Sequence, residues 1–84
     1  MLEVNILVKP GEDSLHSERL IRRAAANLKI PVKVNHTSNF RAFTHLAVNP
    51  SQTPIIVING NVEFAGPVVD IELVQGKLAE IYFR

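Results

Sequence analysis

A strand–turn–strand segment near the middle of the chain constrains the fold more than any other feature. Residues 52–66 read QTPIIVINGNVEFAG, and Ile55–Ile58 is a continuous β-branched run, typical of a strand that is covered on both faces. Asn59-Gly60 suits a type I′ turn, because both central residues of that turn need positive φ. The segment therefore predicts an antiparallel hairpin whose second strand turns Val62 and Phe64 toward the core.

The other segments predict strands and helices that alternate along the chain. In order, they are a strand over residues 2–8, a helix with an apolar stripe over residues 20–28, a short strand with Val32 and Val34, a helix carrying Phe40, Phe43 and Leu46, and a last helix capped by Asp70. A right-handed crossover makes the first two strands parallel. The sequence thus predicts an α/β fold, β-α-β-α-β-β-α, with a four-stranded mixed sheet in the order 2-1-3-4 and helices on both faces.

Length and charge limit the classes of function. The chain has 84 residues, which predicts a single domain over residues 1–84. Its net charge is +1 with dispersed Lys and Arg, so we expect neither a nucleic acid nor an anionic membrane as partner. The sequence contains no signal-like segment and no apolar run near the ~18 residues that a membrane span requires. A cytoplasmic location is the expectation.

Cysteine is absent, which excludes disulfides, thiolate metal sites and thiol chemistry by this chain. The three histidines, His16, His36 and His45, match no metal-ligand spacing, so we expect no metal and no cofactor. A serine nucleophile with His16 as its base is not expected either, because the sequence has no G-x-S-x-G elbow.

The element order, with Thr-Pro opening the third strand and Gly closing the fourth, resembles the thioredoxin-like superfamily. It is most similar to the small thioredoxin-like and glutaredoxin-like proteins of bacteria and archaea, over essentially the whole chain. Residues 53–66 fit their hairpin pattern, TP-apolar-apolar-V-I-N-G-x-V-x-x-x-G. The resemblance implies that Pro54 is cis and that Thr53 presents its backbone to an extended partner. From the residues alone, a trans Pro54 that merely starts an edge strand stays open.

The same resemblance places two redox cysteines at the start of the first helix, where this chain reads KPGEDSLHSERL. In one register Ser14 and Ser17 hold the two positions, and His16 precedes the second, as in strongly oxidising members. In the other register Gly11 and Ser14 hold them. Ser14 acting only as a helix cap is a third interpretation.

Two functions follow from the resemblance. The first is a non-catalytic, redox-inactive module that binds an extended protein or peptide segment at Thr53 and Pro54, with His16 nearby. The alternative is a thiol-disulfide oxidoreductase whose Cys-x-x-Cys is replaced by Ser-x-x-Ser in this chain. A serine hydroxyl cannot cycle between dithiol and disulfide, so this chain itself performs no exchange. Natural loss and deliberate replacement of the cysteines both stay open, as do the partner's identity and the oligomeric state.

Overall fold

The computed structural model describes residues 1–68 and 70–84, and its sheet confirms the predicted topology. The elements are β1 (Leu2–Leu7), α1 (Leu15–Leu28), β2 (Val32–Thr37), 3₁₀ helices at Phe40–Leu46 and Pro50–Gln52, β3 (Ile55–Ile58), β4 (Asn61–Ala65) and α2 (Ile71–Tyr82). The four strands form one sheet in the order β2-β1-β3-β4. β1 runs parallel to β2, and β3 runs antiparallel to both β1 and β4.

The two faces of the sheet are covered separately. Alternate residues of the central strands point to opposite faces, so the doubly apolar runs supply two cores. The larger core packs against α1 and α2 and includes Val4, Ile6, Ile56, Ile58, Ile21, Ala24, Val74 and Leu78. On the opposite face, Leu7, Ile55 and Val57 are covered by Phe40, Phe43, Leu46 and Val48. Helices therefore lie on both faces, as predicted.

The second helix differs in kind from the expectation. Residues 40–46 and 50–52 form 3₁₀ helices, and Phe43 has the non-helical angles φ −123° and ψ 18°. The apolar residues Phe40, Phe43 and Leu46 recur every three positions. That period matches the three residues per turn of a 3₁₀ helix, in which side chains at i and i+3 eclipse. The segment can therefore cover Leu7 and Val57 without a longer α-helix.

A β-bulge in β4 makes one sequence prediction wrong. Ile56 is paired with Phe64 and Val57 with Val62, which leaves Glu63 as the extra residue. Phe64 packs against the larger core as expected. Val62 shares the face of Val57 instead and is 39% exposed. The extra residue breaks the alternation on which the prediction for Val62 depended.

The two α-helices are bounded by local backbone features. The carboxylate of Asp70 accepts the amide hydrogen of Glu72 at 2.9 Å, which confirms Asp70 as the cap of α2. Helix α1 ends at Leu28, and the next residue, Lys29, is its C-cap and adopts the left-handed conformation with φ 56°. Within residues 1–68 and 70–84, no helix has both the length and the apolar character of a membrane span.

Candidate functional site

The loop before α1 meets the segment before β3 at one edge of the sheet. Leu7 is paired with Ile55, so the end of β1 and the start of β3 lie side by side. From the loop, Glu12 accepts the amide hydrogen of Lys9 at 2.9 Å and also contacts the side chain of Thr53. The Thr53–Pro54 peptide bond is cis. Pro54 is buried, and Thr53 is half-buried at the surface.

The backbone of Thr53 lies beyond the paired part of the sheet. Pairing on both sides of β3 begins at Ile55, which is opposite Leu7 on one side and Ala65 on the other. The carbonyl oxygen of Pro54 accepts the amide hydrogen of Gly66 at 2.9 Å. The Thr53 hydroxyl donates to the carbonyl oxygen of Pro50 at 3.2 Å. Hydrogen bonds therefore hold the side chain of Thr53 and the carbonyl group of Pro54 in place. The Thr53 peptide group itself lies before Ile55, the first paired residue of β3.

A concave surface lies beside this corner. It has a volume of about 240 Å³ and is lined by residues 64–68 together with Asp70 and Leu73. Gly66 belongs to this lining and bonds to Pro54, so the concavity adjoins the start of β3. Leu73 stands at its rim and is 59% exposed. The site thus combines the unpaired backbone at Thr53, just before β3, with an apolar depression large enough for a side chain.

Glu12 gives the corner a negative charge. Its pKa is lowered from the usual value, first by the hydrogen bond from the Lys9 amide and second by the contact with Thr53. The Lys9 amide donates to the carboxylate and stabilises its ionised form, so Glu12 is charged at neutral pH. Sequence reasoning missed this residue. The sequence did place Glu12 between Gly11 and Ser14, which is one of the two candidate registers for the family cysteines.

The positions considered for the family cysteines differ in their surroundings. Gly11 is exposed, with φ 83°, in a turn that precedes α1. Ser14 is half-buried at the N-cap of α1, and Ser17 is buried at 4% exposure on the side that faces the core. His16 is exposed and lines a shallow depression with Arg19, Leu20 and Arg23. None of these four residues lines the concavity beside Thr53.

Ser14 belongs to a second polar cluster that joins α1 to β2. Its hydroxyl contacts Nδ1 of His36, and Nε2 of His36 lies 2.5 Å from Oε1 of Glu18. The other carboxylate oxygen of Glu18 pairs with Nε of Arg22 at 2.7 Å. Arg22 first, and His36 second, lower the pKa of Glu18. Across residues 1–68 and 70–84, no three His, Asp or Glu side chains are grouped to hold a metal ion.

Sequence reasoning also missed the role of His36. The signal was topological, because the carboxyl ends of parallel strands meet at one edge of the sheet, where the connecting helix begins. His36 is opposite Ile6 in the parallel pair, near the end of both strands. Ser14 begins α1 at that same edge. A histidine at the end of β2 was therefore placed to reach the first turn of α1.

Comparison with known families agrees with this architecture. A family model described as "Thioredoxin domain" matches residues 2–79, which include all four strands and most of α2. The comparisons with curated proteins and with solved structures returned no match.

Proposed function

The chain belongs to the thioredoxin-domain family, and we propose that it is a redox-inactive module that binds an extended protein or peptide segment at Thr53-Pro54. The sequence has no cysteine, so the thiol-disulfide chemistry of a Cys-x-x-Cys pair is not available to it. Recognition through the backbone of Thr53 needs no thiol. The proposed activity is therefore binding without exchange.

One observation carries this proposal, namely that the Thr53 peptide group lies before the first paired residue of β3, Ile55, and outside the paired part of the sheet. An extended segment can pair with the backbone at Thr53 through main-chain hydrogen bonds, which supply affinity that does not depend on the sequence of the segment. Its side chains alternate between two directions, so every second one points the same way. One of them can enter the concavity beside Leu73, where apolar contact would add specificity.

Glu12 supports a further preference within the same site. Its ionised carboxylate borders Thr53, so a Lys or Arg side chain of the partner would meet an opposite charge there. Such a pair at a solvent-exposed position contributes modestly to affinity and weakens as salt is added. We therefore propose a partner segment with one apolar and one basic side chain.

The test is a peptide selected from a random library on the immobilised protein and then titrated into the ¹⁵N-labelled chain. The amides of Thr53, Ala65 and Gly66 should shift. Leu73→Ser should weaken binding by about tenfold, since it removes an apolar contact worth roughly 1.4 kcal/mol. Val62→Ser is the matched control, because Val62 is also exposed but lies outside the lining of the concavity.

The proposal fails if peptides shift the amides of β2 instead, or if the two serine variants weaken binding equally. A retained preference for basic peptides in Glu12→Gln would refute only the charge preference. Binding at Thr53 itself would stand in that case.

A further inference from the structure

The cluster of Ser14, His36 and Glu18 has the connectivity of a nucleophile, a base and an orienting carboxylate. We propose that Ser14 is an acyl-accepting nucleophile that reacts with activated carboxylic esters. This inference is independent of peptide binding at Thr53, since it uses a different set of side chains at the junction of α1 and β2.

The orientation of the Ser14 hydroxyl is the first argument. A serine at an N-cap ordinarily accepts an amide hydrogen from the first turn of its helix. Among the described residues, the side chain that does so here is Asp13, whose Oδ1 accepts from the Leu15 amide at 2.8 Å. The Ser14 hydroxyl is directed at His36 instead. Helix capping therefore does not account for its position.

The proton arrangement on His36 is the second argument. An ionised carboxylate only accepts hydrogen bonds, so the nitrogen that faces Glu18, Nε2, carries the hydrogen. In the neutral ring, Nδ1 then holds a lone pair, and it is Nδ1 that faces the Ser14 hydroxyl. In this tautomer of neutral His36, Nδ1 can therefore accept the proton of the Ser14 hydroxyl.

Glu18 is itself held in place. Arg22 binds its Oε2 at 2.7 Å, one turn further along α1, which leaves Oε1 for His36. The side chains of His36 and Glu18 are 31% and 22% exposed, so solvent reaches the base while the carboxylate is more sheltered. This carboxylate orients the imidazole and stabilises the imidazolium that forms when His36 accepts a proton.

The start of α1 also suits the charge that develops on an attacked ester. The first amides of a helix have no intrahelical carbonyl partner, and the helix dipole makes this end positive. The amides of His16 and Ser17 follow Ser14 in that first turn. They are candidate donors to the oxyanion of a tetrahedral intermediate. Leu15, which is 53% exposed beside Ser14, offers an apolar contact for the organic part of the ester.

The proposed reaction has two balanced steps. In the first, Oγ of Ser14 attacks the carbonyl carbon while Nδ1 of His36 takes the hydroxyl proton. The bond to the leaving alkoxide then breaks, and that oxygen receives the proton from His36, which leaves an ester on Ser14. In the second step, water attacks this ester with His36 again as base, and the acid and free Ser14 are released.

The probe is p-nitrophenyl acetate, followed by peptide mapping of the acetylated protein. We expect an acetyl adduct on Ser14. His36→Asn, which keeps the nucleophile but removes the base, should lower the rate of Ser14 acetylation by about 10²-fold, the lower end of the contribution of a positioned general base. Circular dichroism on each variant checks that the fold is retained.

His45→Asn is the matched control, because His45 is an exposed histidine outside the cluster, and it should leave the rate of Ser14 acetylation unchanged. Glu18→Gln should give an intermediate rate, since it weakens orientation of the ring without removing the base. An adduct found only on lysines or the N-terminus would overturn the proposal. So would equal Ser14 acetylation in the wild type and a folded His36→Asn variant, which would assign the cluster to structure alone.

Discussion

The side chain of Asn59 accepts the amide hydrogen of Glu3 at 2.9 Å, and the Asn59 amide donates to the Glu3 carbonyl oxygen at 2.9 Å. Asn59 and Gly60 have φ of 50° and 86°, which confirms the positive φ predicted for this turn. The hairpin is therefore tied to the first strand of the chain as well as to its own partner strand.

We expect Asn59→Ala to lower the free energy of unfolding by about 2 kcal/mol. Roughly 1 kcal/mol comes from the lost hydrogen bond to Glu3, and about 1 kcal/mol from placing alanine in a left-handed conformation. Asn59→Gly keeps the backbone conformation accessible, so it should cost less. Urea denaturation of both variants, with Asn61→Ala as an exposed neighbouring control, measures the difference. Equal losses in Asn59→Ala and Asn61→Ala would contradict this assignment.

Arg22 is the main cause of the lowered pKa of Glu18. Arg22→Ala should therefore raise the pKa of Glu18 toward its ordinary value of 4.5, with His36 retaining part of the effect. An NMR titration of the Glu18 carboxyl carbon measures this change. Arg23→Ala is the control, because a residue five positions from Glu18 does not share its helix face. A similar rise in both variants would show a general charge effect instead.

The same lowered pKa predicts how Glu18 contributes to stability. The folded-state pKa lies below the unfolded-state value, so the contribution is present above about pH 4.5 and is lost as the pH falls through the folded-state pKa. Glu18→Gln should remove this part of the acid dependence. Urea denaturation of the variant and the wild type between about pH 3 and pH 6 tests it. Parallel stability curves for the two proteins would refute the contribution.

Paired cysteines distinguish the two registers. Residues 14 and 17 are three apart at the start of a helix, which brings their α-carbons within the spacing of about 4.4–6.8 Å that a disulfide spans. Gly11 has φ 83°, so a cysteine there would be strained. Ser14→Cys with Ser17→Cys should therefore close a disulfide more readily than Gly11→Cys with Ser14→Cys. Free-thiol titration in a glutathione buffer decides between them, and preferential closure of the second pair would reverse the assignment.

The wild-type chain should not accelerate the reduction of insulin by dithiothreitol. Without sulfur it can form neither the mixed disulfide nor the internal disulfide that such a reaction requires. Turbidity from precipitated insulin chains is the measurement, and the Ser14→Cys and Ser17→Cys double variant is the comparison. Turnover by the wild type above the rate with dithiothreitol alone would contradict the prediction.

The sheet was predictable because its signals are local. The β-branched run at Ile55–Ile58 and the Asn59-Gly60 turn each specify a conformation from adjacent residues. The position of Val62 was not predictable, since the bulge at Glu63 depends on how β4 pairs with β3 and leaves no periodic mark. Similarly, the spacing of Phe40 and Phe43 indicated a helix, but its three-residue period was interpreted as an α-helical stripe.

In the candidate site, too, local patterns were predictable from the sequence and contacts between distant residues were not. Thr53-Pro54 was found from a contiguous pattern, whereas Glu12 came to light only through its contact with Thr53 across the end of the sheet. The link between Ser14 and His36 spans 22 positions in the sequence. Contacts of this kind depend on the final packing of α1 against β2. They become predictable only when the parallel topology is combined with the position of each residue along its strand.

The bulge at Glu63 also bears on how the molecule behaves at high concentration. β4 is an edge strand of the sheet, and a regular edge strand is a template on which strands of other molecules can assemble into aggregates. The extra residue interrupts the regular spacing of its outward amide and carbonyl groups, and the Glu63 carboxylate is held 3.6 Å from the Lys77 ammonium. Irregular spacing and a fixed charge both oppose pairing with a foreign strand. The bulge that makes the prediction for Val62 wrong therefore also makes this edge of the sheet a poorer template for strand addition than a regular edge strand would be.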